Sequence, residues 1–358
     1  MENLSLRHGS LMACAAFVVL VAGMKAAAVL VVPFLLAAFL AIICAPPLFW
    51  MQKKGVPSIL GIILLLVGVM AVQLVLVSLV SSSIIEFTNN LPFYQERLRS
   101  LTENSLHLLS AYGIQVEVDK FSAILNPSRI LRLVANTLDG LGGVLTNTFF
   151  IFLAFIFILS EAAGFPSKLR VLFDNNDSEM AKYGRITQGV NKYLAIKTIT
   201  SLATGIVIWL WLKIQGVDFP VMWGVFAFLL NFIPNIGSII AAVPAILLAL
   251  VQLGPVAAAI SGVGFLLVNI IVGSVIEPRV MGQGTGLSAL VVFLSLSFWG
   301  WILGPVGMLL SVPLTMAVKI ALGGRESTRW VSVLLGSNKD AELMLVGMNE
   351  EDSKTTSA

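Results

Sequence analysis

The stretch TITSLATGIVIWLWLKIQGVDFPVMWGVFAFLLNFIPNIGSIIAAVPAILLALVQ, residues 198–252, decides what kind of molecule this is. Lys213 and Asp218 are its only charges. Extending it to residue 320 adds Glu277, Arg279 and Lys319, which makes five charges in 123 residues. A soluble domain has about a quarter of its residues charged. The whole chain of 358 residues is 58% hydrophobic and 11% charged, with a mean hydropathy of +0.95. It is short of the polar surface that a water-soluble globule needs, which excludes a soluble enzyme or a nucleic-acid binder. The expected fold is an all-α polytopic membrane protein of about eight membrane helices or hairpins, with a small helical extramembrane domain.

A span takes about 20 apolar residues. Leu11–Trp50 holds two, parted near Lys25, and the first is read as a retained helix rather than a signal peptide. Residues 51–57 form a basic turn, and Ser58–Leu79 is the third span. Residues 83–145 change to charged, amphipathic sequence, in which Asn126-Pro127 opens a helix with Pro at its first position. Asn147–Leu159 with its flanks is the fourth span. In 166–197, Ile186, Val190, Tyr193 and Leu194 share one helical face, as in a basic amphipathic helix at a membrane surface. Beyond Thr198 the apolar runs are 198–214, 219–252, 255–276 and 287–320. The second and fourth have 34 residues each and are broken by Pro or Gly, so each reads as two spans or one hairpin of half-helices. This gives N-terminal spans over 1–82, an extracytoplasmic domain over 83–145 and a span in 146–165. A cytoplasmic amphipathic segment over 166–197, a core with broken helices over 198–322 and a tail over 323–358 complete the order.

Lysine and arginine counts orient the chain. The turn 51–57 carries Lys53 and Lys54 without an acid, 166–197 has six basic residues against three acids, and 83–145 has five against six. Both termini are therefore expected on the cytoplasmic side of a bacterial inner membrane. Cys14 and Cys44 read as small buried hydrophobes. His8 and His107 make no ligand cluster, there is no GxxxxGK[ST] phosphate loop, and no nucleophile–base pair is visible. The sequence gives no reason to expect an enzyme, a cofactor or a metal.

Two segments put polar or backbone-freeing residues where a bilayer resists them. LNFIPNIGS (230–238) interrupts the run 219–252 with Asn231, Pro234, Asn235, Gly237 and Ser238. Irregular backbone at membrane depth is tolerated where it is buried or lines a wet cavity, and transporters place binding sites at such breaks. The competing reading is a kinked packing helix with Asn as inter-helix glue. IEPRVMGQGTGLS (276–288) contributes Glu277, Arg279, Gln283 and Ser288. It reads either as a site loop with Glu277 and Arg279 paired at a cavity mouth, or as an interfacial turn. Asn269 sits mid-span. Trp299 and Trp301 read as interface aromatics or a substrate face, and Gly300, Gly304 and Gly307 as a close-packing stripe.

LNFIPNIGSIIAAVPAIL (230–247) and IEPRVMGQGTGLSALVVFLSLSFWGWILGPVGMLLSVPLTMAVKIAL (276–322) resemble the signature blocks of the autoinducer-2 exporter (AI-2E) family of bacterial permeases. VPFLLAAFLA (32–41) and the W-G-x-x-A-F-x-L-N-x-I-P-N-I-G-S run from Trp223 extend the likeness over most of the chain. The resemblance implies a secondary transporter that exports autoinducer-2, a small hydroxylated furanone-type quorum-sensing signal. It also implies a homo-oligomer, a pentamer among the arrangements allowed, with Asn231, Asn235, Ser238, Glu277 and Arg279 near the transport path. Two other functions are weighed against this one. A sodium or lithium–proton antiporter needs ionisable groups within the membrane, and here the only acids of 198–320 are Asp218 and Glu277, near span ends. A membrane scaffold or receptor would work through 83–145.

Overall fold

A computed structural model describes residues 2–111, 148–172, 177–234, 236–281, 286–324 and 328–337. No β-strand forms among them; an isolated antiparallel bridge joins Leu287 and Gly336. Helices are what apolar runs must form in lipid, because each N–H and C=O then finds its partner within the segment. In order they are α1 (Glu2–Ala26), α2 (Ala28–Lys53), α3 (Ser58–Asn89), α4 (Leu91–Ala111), α5 (Thr148–Leu172) and α6 (Asp177–Gln215). There follow α7 (Pro220–Leu230), α8 (Ile236–Leu253), α9 (Pro255–Val268), a π-helix (Asn269–Ile276), α10 (Glu277–Met281), α11 (Ala289–Gly323) and α12 (Arg329–Leu334). Among the described residues six helices are long and apolar enough to cross a membrane, and 15–26, 149–162 and 220–230 are shorter apolar segments. The chain is thus an all-α polytopic membrane protein. The third span continues past Leu79 to Asn89, and the helix predicted at Asn126-Pro127 lies outside the described residues.

Both ambiguous 34-residue runs are helical hairpins. In the first, Gln252 at the end of α8 accepts from the Asp218 N–H at 2.8 Å and donates to the Gly216 carbonyl at 3.0 Å, so the ends of the run meet. Its tip is the non-helical stretch 231–234. There a Cβ on Gly237 would run into the Leu230 carbonyl, so only glycine lets the chain close. In α11 the break is Gly304, at φ +67°, followed by Pro305. Trp299 Nε1 donates to Thr315 Oγ1 at 3.0 Å although 16 residues separate them. A straight helix would put those residues about 24 Å apart, so the two arms run antiparallel. Gly304 is therefore the turn of a hairpin rather than part of a flat packing stripe. Gly300 faces the Met308 side chain and Gly307 the Trp299 carbonyl across it.

The chain divides into two compact units, the first formed by 1–63, 148–195 and 281–358, the second by 64–147 and 196–280. In the first, α2 packs along α5, and the second hairpin packs on α1 and α2. Phe298, Trp299, Ile302 and Leu303 lie against Val21, Met24 and Val31 near the hairpin tip. Trp299 is buried, whereas Trp301 is exposed with Lys25 Nζ 3.8 Å from its ring centroid. That is the environment of an interface aromatic. Tyr193, Leu194 and Val190 face inward onto Leu287, Val312 and Met316, which accounts for the apolar face read in 166–197. Cys44 is buried.

The second unit is built around the last 20 residues of α6. Its core joins Ile208 and Leu212 to Trp223 and Phe226 of α7, to Ala241, Ala245 and Leu248 of α8, and to Phe265, Val268 and Val272. Gly205 and Gly224 let α6 and α7 touch: a Cβ on Gly205 would lie 2.7 Å from the Gly224 carbonyl oxygen. Small residues at helix crossings are the usual route to tight packing in lipid, where no hydrophobic force draws helices together.

Candidate functional site

Helix α6 and the helix that runs from α9 through the π segment lie side by side and antiparallel in the second unit. Polar contacts mark the register. Ser261 Oγ donates to Gln215 Oε1 at 2.8 Å, Trp211 Nε1 to the Ile260 carbonyl at 3.3 Å, and Lys197 Nζ to Glu277 Oε1 and Oε2 at 2.8 and 2.9 Å. Lys197, Ser201, Thr204 and Ile208 recur at spacings of four, three and four, which puts them on one helical face. The three polar members of that face are all buried. Asn231, at the end of α7, donates its amide Nδ2 to Ser201 Oγ at 3.0 Å and is itself buried.

Next along this face is a narrow cavity lined by Thr204, Ile208, Ala227, Ser238, Ala241, Phe265, Val268 and Asn269. Three of these eight residues are polar and none is charged. Thr204 Oγ1 is buried without a hydrogen-bond partner among the described residues. An orphan hydroxyl in a dry site costs about 1–3 kcal/mol, so its place on a cavity wall fits a group awaiting a ligand. Asn269 opens the π-helix, whose Gly273 leaves room for it: a Cβ there would sit 3.3 Å from Asn269 Oδ1. Wide π turns inside α-helices recur at functional sites.

Lys197 and Gln215 close a polar file along α6. Their 18-residue separation spans about 27 Å, close to the roughly 30 Å of a hydrocarbon core. Just past Gln215 is a second polar cluster. Tyr94 of α4, fully buried, donates its hydroxyl to Asp218 Oδ2 at 2.7 Å, and Trp223 Nε1 donates to the Asp218 carbonyl at 3.1 Å. Phe219 takes a left-handed φ of +58° ahead of Pro220 and turns its ring edge to Phe87, 6.2 Å away. Burial, the hydrogen bond to Asp218 and the charges of Asp218 and Glu86 hold the Tyr94 phenol above the ordinary tyrosine range, against a smaller opposing pull from the Asn90 side chain.

The residues singled out from sequence sort as follows. Asn231, Ser238, Asn269 and Glu277 join the file or its cavity, with Pro234 and Gly237 shaping the hairpin tip. Glu277 pairs with Lys197 rather than with Arg279, whose side chain is exposed. The helix here carries Glu277 inward onto α6 and Arg279, two residues on, away from it. Ser288 belongs to the first unit, where its Oγ accepts from the Val291 N–H at 3.2 Å as the N-cap of α11. Asn235 and Gln283 lie outside the described residues. Lys197, Ser201 and Thr204 were not among the candidates, although polar residues at i, i+4 and i+7 of an otherwise apolar helix were a readable signal.

Broken helices at hairpin tips and a buried, mainly uncharged polar file define a multi-pass membrane protein with a polar interior. Over residues 14–324 the chain matches the model of the AI-2E family transporters, and it belongs to that family. It is 43% identical over 345 residues to a provisionally named transport protein of Haemophilus influenzae, covering 95% of this chain and 99% of that one. To the AI-2 transport protein TqsA of Escherichia coli it is 40% identical over 324 residues, 90% of this chain and 94% of TqsA. The provisionally named transport protein YhhT of Escherichia coli is 36% identical over 329 residues, with 92% and 94% covered. The chain is accordingly a transport protein of the bacterial inner membrane.

Proposed function

We propose that this protein exports autoinducer-2, a small neutral hydroxylated furanone, from the cytoplasm. The observation that carries the reading is the Thr204–Ser238–Asn269 cavity, where hydroxyl and amide groups sit among apolar walls and no charge is present. Thr204, Ser238 and Asn269 would hydrogen-bond the hydroxyls, with Asn231 and Ser201 beside them. Both acids of the apolar half are engaged, Glu277 with Lys197 and Asp218 with Tyr94. This supports a neutral cargo over cation–proton exchange, which needs an acid free to cycle its proton. The 40% identity to a protein named for AI-2 transport points the same way.

In this reading the lysine and arginine distribution sets the Lys197–Glu277 end and both termini on the cytoplasmic side. The Asp218 cluster and residues 83–145 then face outward. The first hairpin then enters the membrane from outside. We take the functional particle to be a homo-oligomer, as the family resemblance implies. With no nucleotide-binding motif in the sequence, net flux follows the solute gradient or the proton-motive force. The deciding experiment is efflux of autoinducer-2 from proteoliposomes, with and without an imposed pH gradient. Efflux above that of empty liposomes is expected, and an Asn269→Leu protein that folds should lose most of it. Sodium- or lithium-dependent pH changes without efflux would replace this reading with antiport.

A further inference from the structure

Lys197 and Glu277 are 80 residues apart in the chain, yet one ammonium group meets both oxygens of the carboxylate, with the side chains only 6% and 15% exposed. A buried ion pair is no gift to stability, since well-packed apolar residues in its place do as well or better. Its position offers another reason for it. Ser201, bonded to the hairpin tip through Asn231, is one turn along α6 from Lys197, and Thr204 on the cavity wall follows one turn later. Glu277 comes directly after the π-helix that Asn269 opens. The pair therefore closes one end of the polar file, and the other nearby charges, Arg279 and Lys192, are exposed.

A bidentate pair presents no net charge to a solute beside it. Either member alone would be a fixed monopole in a low-dielectric surround, where charge–charge energies are many times those in water. Carboxylate linings admit cations and basic linings admit anions. We propose that the Lys197–Glu277 pair is the charge-selectivity element of the path: each residue cancels the other's attraction for small ions, which leaves a polar entrance open to uncharged solutes and closed to ions. This inference rests on reading the file as a conduit for a neutral solute, and it makes the two residues determinants of specificity rather than solute ligands.

The test measures ion flux, so it does not require autoinducer-2. Wild-type, K197Q, E277Q, K197Q/E277Q and charge-reversed K197E/E277K proteins are reconstituted with entrapped proton-, sodium- and chloride-sensitive dyes. Elution volume and thermal melting in detergent report folding. Wild type, the double glutamine and the reversed pair are expected to be ion-tight. K197Q, which leaves a lone carboxylate, should pass protons or sodium at least tenfold faster, and E277Q should do the same for chloride. Folded single variants as tight as wild type would overturn the proposal. If the single variants fail to fold, the reversed pair decides: a folded K197E/E277K protein that leaks like an unpaired charge also overturns it. Tight wild type with leaky single variants, but no autoinducer-2 efflux, would uphold the filter and reject the substrate.

Discussion

Thr204→Val separates a ligand-binding hydroxyl from a structural one because the two roles predict opposite signs. Valine has nearly the shape of threonine and lacks the hydroxyl, so packing against Ile208 and Phe265 is kept. The hydroxyl is buried and unpartnered among the described residues, and such a group costs about 1–3 kcal/mol. Removing it should leave the unfolding free energy unchanged or raise it by up to that amount. If the hydroxyl meets the solute, the variant loses one neutral hydrogen bond worth about 0.5–1.5 kcal/mol. At 1.4 kcal/mol per factor of ten, the half-saturating autoinducer-2 concentration should rise about 2- to 12-fold. Both quantities come from one preparation: denaturant unfolding in detergent, and the concentration dependence of transport in proteoliposomes. A variant that unfolds more easily while its half-saturation stays put would refute the reasoning. It would mean that the hydroxyl is satisfied within the helix and does not face the solute.

Tyr94→Phe should lose about 1.5–3 kcal/mol, the range for a hydrogen bond to a charged acceptor, since its hydroxyl is 2.7 Å from Asp218 Oδ2. The phenol's pKa is raised in the folded protein, so this stability is complete below the unfolded value near 10 and drains away as pH climbs above it. Melting curves of the two proteins should therefore converge on the alkaline side, and a gap that stays constant from about pH 8 to 11 would contradict the assignment. Gly224→Ala would place a Cβ 2.7 Å from Trp209 Cβ and 2.8 Å from the Gly205 carbonyl oxygen. A loss of about 1–3 kcal/mol is expected for such overpacking. In the same melting assay Gly262→Ala, whose Cβ meets only Ile246 Cδ1 at an ordinary 3.5 Å, should be close to neutral.

Sequence alone revealed the helical class because lipid leaves an apolar run few alternatives. It also located the first interruption, since Pro234 and Gly237 are backbone statements that need no partner, whereas Gly304, the turn of the second hairpin, reads from sequence as part of a packing stripe. What it could not decide was whether each broken run crosses twice or turns back. That depends on long-range contacts such as Gln252 with Gly216 and Asp218, or Trp299 with Thr315. The site was legible to the same degree. Asn231, Ser238 and Asn269 stood out because amides and hydroxyls are costly in lipid. Glu277 stands out too, but sequence offers it only its chain neighbour Arg279 or water at an interfacial turn, and not Lys197. Proximity in sequence is a poor guide within one helix, where residues two apart point to nearly opposite sides. Lys197 looked like one more basic residue of a loop-flanking segment, and only its burial separates it from Lys192.

The first hairpin is fastened at both of its ends. At its mouth one glutamine amide bridges both strands of chain, and a buried tyrosine from α4 grips the adjoining aspartate. At its tip Asn231 donates to Ser201 of α6. The Tyr94–Asp218 bond therefore couples α4 to the mouth, and the Asn231–Ser201 bond couples the tip to α6. Since α4 is not one of the helices apolar enough to cross a membrane, a buried hydroxyl–carboxylate bond links a helix outside the spans to the hairpin. The far end of that hairpin contributes Ser238 to the cavity wall.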